Sequence, residues 1–234
     1  MKKAISLPRH VRAMFACLLA LLPLQALADT VLITGANSGI GLEFAKQYAA
    51  KGWSVIATHR RDDTPDTLKA LVQQHKNVRV EKMDVTDRAQ INALAKKLAG
   101  TPIDVLINNA GIMPPLGNFA DMRIADIDTA LEVNVSAAIL LTRLVVPQMR
   151  ERQSGHILFT GSSAAHAAFP NVAVYSATKA AIAGFAAALR ADLSPFGIRV
   201  TEIVPGRVET QLYKDILDAE TRAAMYAGNV AVHH

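Results

Sequence analysis

An α/β architecture, with a doubly wound parallel sheet sandwiched between two layers of helices, is predicted by three observations. Short β-branched runs alternate with helix-period segments along residues 29–234. The runs are almost continuously apolar, as central strands covered on both faces must be. A glycine-rich turn, Thr34-Gly35-Ala36-Asn37-Ser38-Gly39-Ile40-Gly41, joins the first run to the first helical segment.

In chain order, strands are expected at Thr30–Thr34, Ser54–Thr58, Val78–Met83, Val105–Asn108, His156–Thr160 and Arg199–Val204. Gly52 suits the end of the first helix, where a left-handed residue closes the last turn. Thr64-Pro65 offers an N-cap and a first-turn proline to the second helix, and Thr86 or Asp87 a cap to the third. A long helical stretch follows from about Ile124 to Arg152, with Pro147 expected to bend or break it. The last long helix, about Tyr175 to Leu193, is rich in Ala and Gly nearly all round, which permits one contact with the sheet and a second across a subunit interface.

The 234 residues, 51% hydrophobic, suffice for one ordinary domain. Lys2, Lys3, Arg9 and Arg12 supply four of the net five positive charges, so the remainder is near neutral and lacks the basic clusters that nucleic-acid binding needs. Residues 1–28 read as an export leader: a basic start, an apolar run from Ala13 to Leu22, then Ala26-Leu27-Ala28 as a cleavage signature. The apolar run is shorter than the roughly 20 residues that span a bilayer, and no later segment reads as transmembrane. The leader points to export, with a misassigned start in a cytoplasmic protein or an N-terminal membrane anchor as alternatives. Cys17, the only cysteine, lies in this leader, which leaves no thiol for catalysis elsewhere. No Cys or His spacing fits a metal site, and His233-His234 is merely a terminal pair.

The glycine-rich turn sits between a strand and a helix, where backbone N–H groups and the helix dipole attract phosphate. Downstream, Ser162 ends the fifth strand, while Tyr175 and Lys179 share one helix face. Hydride transfer to a carbonyl builds negative charge on oxygen, so it needs a hydrogen-bond donor and a proton source. Ser162 and Tyr175 can fill those roles. Lys179 can favour the phenolate electrostatically, offsetting a phenol pKa ordinarily near ~10. After the second strand stands Thr58-His59-Arg60-Arg61, with no acid before Asp62. An acid there would repel a ribose 2′-phosphate, whereas arginine welcomes it, so NADP(H) is favoured over NAD(H), with Arg60 as main contact and Ser38 or Arg61 assisting.

These residues resemble the short-chain dehydrogenase/reductase family in its compact single-domain branch, with matches from Thr30 to about Thr210. Its Asn-Asn-Ala-Gly element stands as Asn108-Asn109-Ala110-Gly111, its helix Asn as Asn134, its Ser as Ser162, its Tyr-x-x-x-Lys as Tyr175 to Lys179, and its Pro-Gly element as Pro205-Gly206-Arg207-Val208-Glu209-Thr210. Within the family, the chain looks most like small carbonyl reductases and C-factor-type signalling proteins. The resemblance implies a three-layer Rossmann-type sheet, here without the usual final strand, and a homodimer or homotetramer.

It also implies a catalytic set of Asn134, Ser162, Tyr175 and Lys179. The family's thirteen-residue spacing to Tyr175 selects Ser162 over Ser163; Asn134 would hold a water that relays protons to Lys179, which would also touch the nicotinamide ribose. Cofactor contacts are implied for Gly35, Asn37, Ser38, Gly39, Ile40, Gly41, Arg60, Asp84, Val85, Asn108, Ala110, Gly111, Tyr175, Lys179, Pro205, Gly206, Val208 and Thr210. Asp84-Val85 would meet adenine, and Val208 and Thr210 the carboxamide. The expected activity is NADP-dependent interconversion of a carbonyl and an alcohol; a catalytically dormant nucleotide-binding signalling or scaffold protein is the alternative. Met113–Asp121, Ala164–Val172 and Arg207–Gly228, mostly apolar or small, would shape a pocket for a small apolar substrate.

Overall fold

The computed structural model describes residues 28–227 apart from Asp215. The expected leader, except Ala28, and the His233-His234 pair lie outside these residues. Six parallel strands, β1 (Thr30–Ile33), β2 (Ser54–His59), β3 (Val78–Lys82), β4 (Val105–Asn108), β5 (Gly155–Thr160) and β6 (Ile198–Ile203), form one sheet in the order β3-β2-β1-β4-β5-β6. The chain winds outward in one direction from β1 and then in the other from β4. Crevices open at that reversal, beyond the carboxyl ends of the strands.

The alternation of side chains along each strand explains why both faces must be covered. Val31 and Ile33 pack with Ala45, Ala49, Leu68 and Leu71, from α1 (Gly39–Ala50) and α2 (Asp66–Gln74). Leu32 and Leu106 point the other way, into a cluster with Leu141, Met149, Ile182 and Ala186. That second layer is built by α3 (Arg88–Lys97), α4 (Ile124–Leu131), α5 (Ala137–Arg152) and α6 (Ala173–Leu193); α7 (Ala219–Ala227) follows β6.

Helix boundaries follow local chemistry, with two departures from expectation. Asp87 caps α3, accepting from the amides of Ala89 at 2.8 Å and Gln90 at 3.1 Å. Gly52, at φ +83°, closes α1 by donating to Ala49 O. The Thr64 cap does not form: Pro65 occupies the N-cap with extended backbone, and no side chain caps α2. Of the bend or break expected at Pro147, the break does not occur: the helix runs on to Arg152. Pro147 and Arg143 lie on the exposed side, where water can serve the carbonyl that proline leaves unpaired. The irregularity falls instead at Glu132–Ser136, a π-helical turn between α4 and α5. On length and composition alone, the stretch Ile124–Arg152 could cross a membrane, contrary to expectation. In the fold, its buried residues Leu141, Val145 and Met149 cover the sheet.

Candidate active site

The carboxyl ends of β1, β2, β4 and β5 and the segment after β6 surround one cleft of about 350 Å³. Its floor is the glycine-rich turn. Gly35 and Gly39 adopt φ +63° and +53°, which only glycine accepts without strain. A Cβ on Gly41 would overlap Gly35 O and Asn109 Nδ2, so this glycine serves close packing beneath the turn. Ser38, the N-cap of α1, makes no side-chain capping bond, and the first-turn amides of this 12-residue helix open toward the cleft. A cradle of this shape fits a pyrophosphate.

Thr34 and Asn109 brace that cradle, a role unforeseen for either. Thr34 Oγ1 accepts from the amides of Asn109 at 3.0 Å and Ala110 at 2.9 Å. Asn109 Nδ2 donates to Thr34 O and Gly35 O at 3.0 and 3.1 Å. The two polar residues stand 75 positions apart in the sequence, and only the β1–β4 pairing brings them together.

Of the expected cofactor contacts, Gly35, Asn37, Ser38, Gly39, Ile40, Arg60, Asp84, Val85, Ala110, Gly111, Tyr175, Lys179, Pro205, Gly206, Val208 and Thr210 all line the cleft. Two do not. Gly41 lies beneath the turn, and the buried Asn108 side chain turns toward α5, donating to Thr142 Oγ1 at 3.0 Å. Arg60 and Arg61 are exposed at the cleft, and among the described residues neither is ion-paired. Asp62 is engaged by Lys82 at 2.7 Å and does not line the cleft.

At the opposite end stand Ser162, Tyr175 and Lys179, all buried. Ser162 Oγ accepts from Ala164 N at 3.1 Å, which leaves its own proton free to donate. Burial pushes the Tyr175 phenol pKa up; the Ser162 hydroxyl opposes this and Tyr213 adds to it. Tyr175 therefore holds its proton at neutral pH. Burial lowers Lys179 to about 8, with the Glu202 carboxylate pushing it back up. Lys179 Nζ sits 5.6 Å from the Tyr175 ring centroid and donates to Thr160 O at 2.7 Å. In this arrangement burial outweighs any pull of Lys179 toward phenolate.

Asn134 is buried in the π-helical turn and does not line the cleft. Its amide bonds both main-chain groups of Ile112 and donates to Thr178 Oγ1 at 3.1 Å. The side chain expected to serve a proton relay is thus occupied in holding a cleft wall. Two of the segments expected to shape the pocket complete that wall: Met113 packs with Tyr175 and Ala164, and Leu212, Tyr213 and Ile216 close over them from the segment after β6. His166 and Phe169 lie outside the lining.

A family model described as short chain dehydrogenase matches residues 29–221. An uncharacterized short-chain type dehydrogenase/reductase of Sinorhizobium fredii is 42% identical over 205 residues, 87% of this chain and 80% of that protein. An NADP-dependent 3-hydroxy acid dehydrogenase of Salmonella typhi is 38% identical over 180 residues, covering 76% and 72% of the two chains. Among solved structures, the closed form of a serine dehydrogenase complexed with NADP+ superposes with a TM-score of 0.80 at 32% identity, covering 86% of this chain and 82% of that one. A short-chain dehydrogenase from Sphingobium yanoikuyae in complex with NADPH gives 0.75 at 30% identity, over 82% and 77%. With the cradle, the buried Ser-Tyr-Lys group and these likenesses together, the chain belongs to the short-chain dehydrogenase/reductase family of oxidoreductases that act on CH–OH and C=O groups.

Proposed function

We propose that this enzyme reduces a small, apolar ketone or aldehyde with NADPH. The observation that carries the reading is that Ser162, Tyr175 and Lys179 share one cleft with a glycine cradle whose far end holds two exposed arginines. Arg60, assisted by Arg61 or Ser38, would hold a 2′-phosphate; the α1 amides would hold the pyrophosphate; Gly111, Val208 and Thr210 would border the nicotinamide. The dinucleotide supplies hydride when bound.

The chain's own residues handle the oxygen. Ser162 Oγ donates a hydrogen bond to the carbonyl, favouring negative charge as it develops. Tyr175 Oη transfers its proton to that oxygen, a direction suited to a phenol whose pKa burial has raised. Lys179, with one N–H on Thr160 O, keeps two donors and a charge for the ribose and the returning proton. Met113, Leu212, Tyr213 and Ile216 exclude water and select an apolar substrate. Fluorescence titration with NADPH and NADH, followed by a panel of aldehydes, ketones and quinones, tests this reading. NADPH binding without oxidation of the bound nucleotide by any of them would overturn it.

The same reading includes a homodimer or homotetramer formed through α5 and α6, where Val146, Phe185 and Leu189 line an apolar groove. It also includes one catalytic domain over residues 29–234 and export directed by residues 1–28. Sedimentation of the native protein tests the oligomer, and its N-terminal sequencing tests the start of the domain and export.

A further inference from the structure

Glu202 lies on β6, opposite Phe159 of β5, with its side chain on the α6 side of the sheet. It is mostly buried, and its Oε1 has no hydrogen-bond partner among the described residues. A buried carboxylate left in that state needs a physical reason. The surroundings supply one. A Cβ on Gly161 would overlap the carboxylate, so the missing side chain there is what lets it reach the turn that carries Ser162. Thr160, immediately before, receives the Lys179 ammonium. His166, four residues beyond Ser162, brings Nε2 to 3.7 Å from Oε1 on the more exposed side.

We propose that Glu202 is a positioning residue for the reaction, the fixed negative charge behind the Ser162 turn that keeps Lys179 protonated at working pH. This rests on the proposed function for its consequence, though not for its physics. Lys179 is nearly enclosed by protein, and desolvation penalises its charged form. The Glu202 carboxylate opposes that penalty. Among the described residues, His166 in the turn after β5 reaches the carboxylate, and the Lys179 ammonium is held on Thr160 O, one residue before the Gly161 against which the carboxylate lies. Arg190 of α6 is spent lower down on Val200 O, and His156 of β5 bonds Thr201 instead. Without Glu202 the ammonium would keep, among the described residues, the Thr160 carbonyl dipole to hold its charge.

The test compares wild type with two neutral variants of similar length, Glu202→Gln and Glu202→Met, and with the charge-conserving Glu202→Asp. Two readouts are followed against pH: kcat/KM for NADPH-dependent ketone reduction, and the ¹³Cε shift of Lys179 in lysine-labelled protein, assigned with Lys179→Arg. In either neutral variant the Lys179 midpoint and the basic limb should both move down by about half a pH unit or more, while Glu202→Asp keeps them near wild type. Either neutral variant that folds is sufficient. A midpoint unchanged on removal of the charge overturns the proposal, because a merely structural role would lower the rate at every pH alike. If wild type reduces no substrate, the proposed function fails, and the ¹³C titration still decides the role of Glu202.

Discussion

Asn134 and Ile112 exchange two hydrogen bonds, Oδ1 accepting from Ile112 N at 2.8 Å and Nδ2 donating to Ile112 O at 2.9 Å. One side chain thereby completes the main-chain bonding of the segment that walls the cleft. Replacing Asn134 by Ala leaves both half-buried main-chain groups without that partner. We expect a stability loss of about 1–3 kcal/mol, read by urea denaturation, with a fall in kcat/KM beyond that explained by the unfolded fraction.

Tyr175→Phe removes one hydroxyl from a buried ring and leaves the packing with Met113 and Ala164 intact. Turnover should fall by at least about a thousandfold, within the range of a lost acid catalyst and its electrostatic support. NADPH affinity, measured by fluorescence, should change by less than about threefold. Activity retained in this variant would refute the proton-donor role.

Lys179 makes stability and reduction depend on pH in opposite directions above about 8. Its folded value of about 8 lies below the ordinary 10.5, so between these values the unfolded chain binds more protons. Its contribution to stability therefore rises as pH climbs from 8 toward 10.5, and below 8 the buried charge is a full penalty. Lys179→Met should gain stability relative to wild type at pH 7 and lose that advantage by pH 10 in thermal unfolding. Reduction by wild type should decline through the same lower value, as the ammonium is lost.

Arg60→Asp places an anion where a 2′-phosphate would lie and where Asp62, tied to Lys82, does not reach. The ratio of NADH to NADPH dissociation constants should fall by about tenfold or more. An unaltered preference would remove Arg60 from the phosphate site.

Gly41→Ala tests close packing apart from ligand contact. The new methyl would strike Gly35 O and Asn109 Nδ2, for which overpacking costs about 1–3 kcal/mol. Thermal unfolding without nucleotide should show that loss.

The six strands were legible because each is a short apolar run bounded by turn residues, and the expected limits differ from those observed by no more than a residue at either end. Most of the cleft lining was legible too, since Gly35, Ser38, Tyr175 and Lys179 stand at motif spacings along single elements. What escaped depends on groups that meet only after folding. Pro147 sits on an exposed helix face, which periodicity around a single proline does not reveal. Asn108 and Asn109 are neighbours with opposite outlooks, one bonded to α5 and the other to the glycine turn. The hydrogen bonding of Asn134 to Ile112 spans 22 positions, and no local pattern announces it.

Leu212, Tyr213 and Ile216 border the catalytic end, yet the stretch from Pro205 to Ala227 adds no strand to the sheet among the described residues. Under the proposed function, substrate choice would be carried by this cover, and the nucleotide cradle by the frame beneath it. Grafting that cover from a relative with different tastes should redirect the enzyme to new compounds without rebuilding the framework that handles the coenzyme.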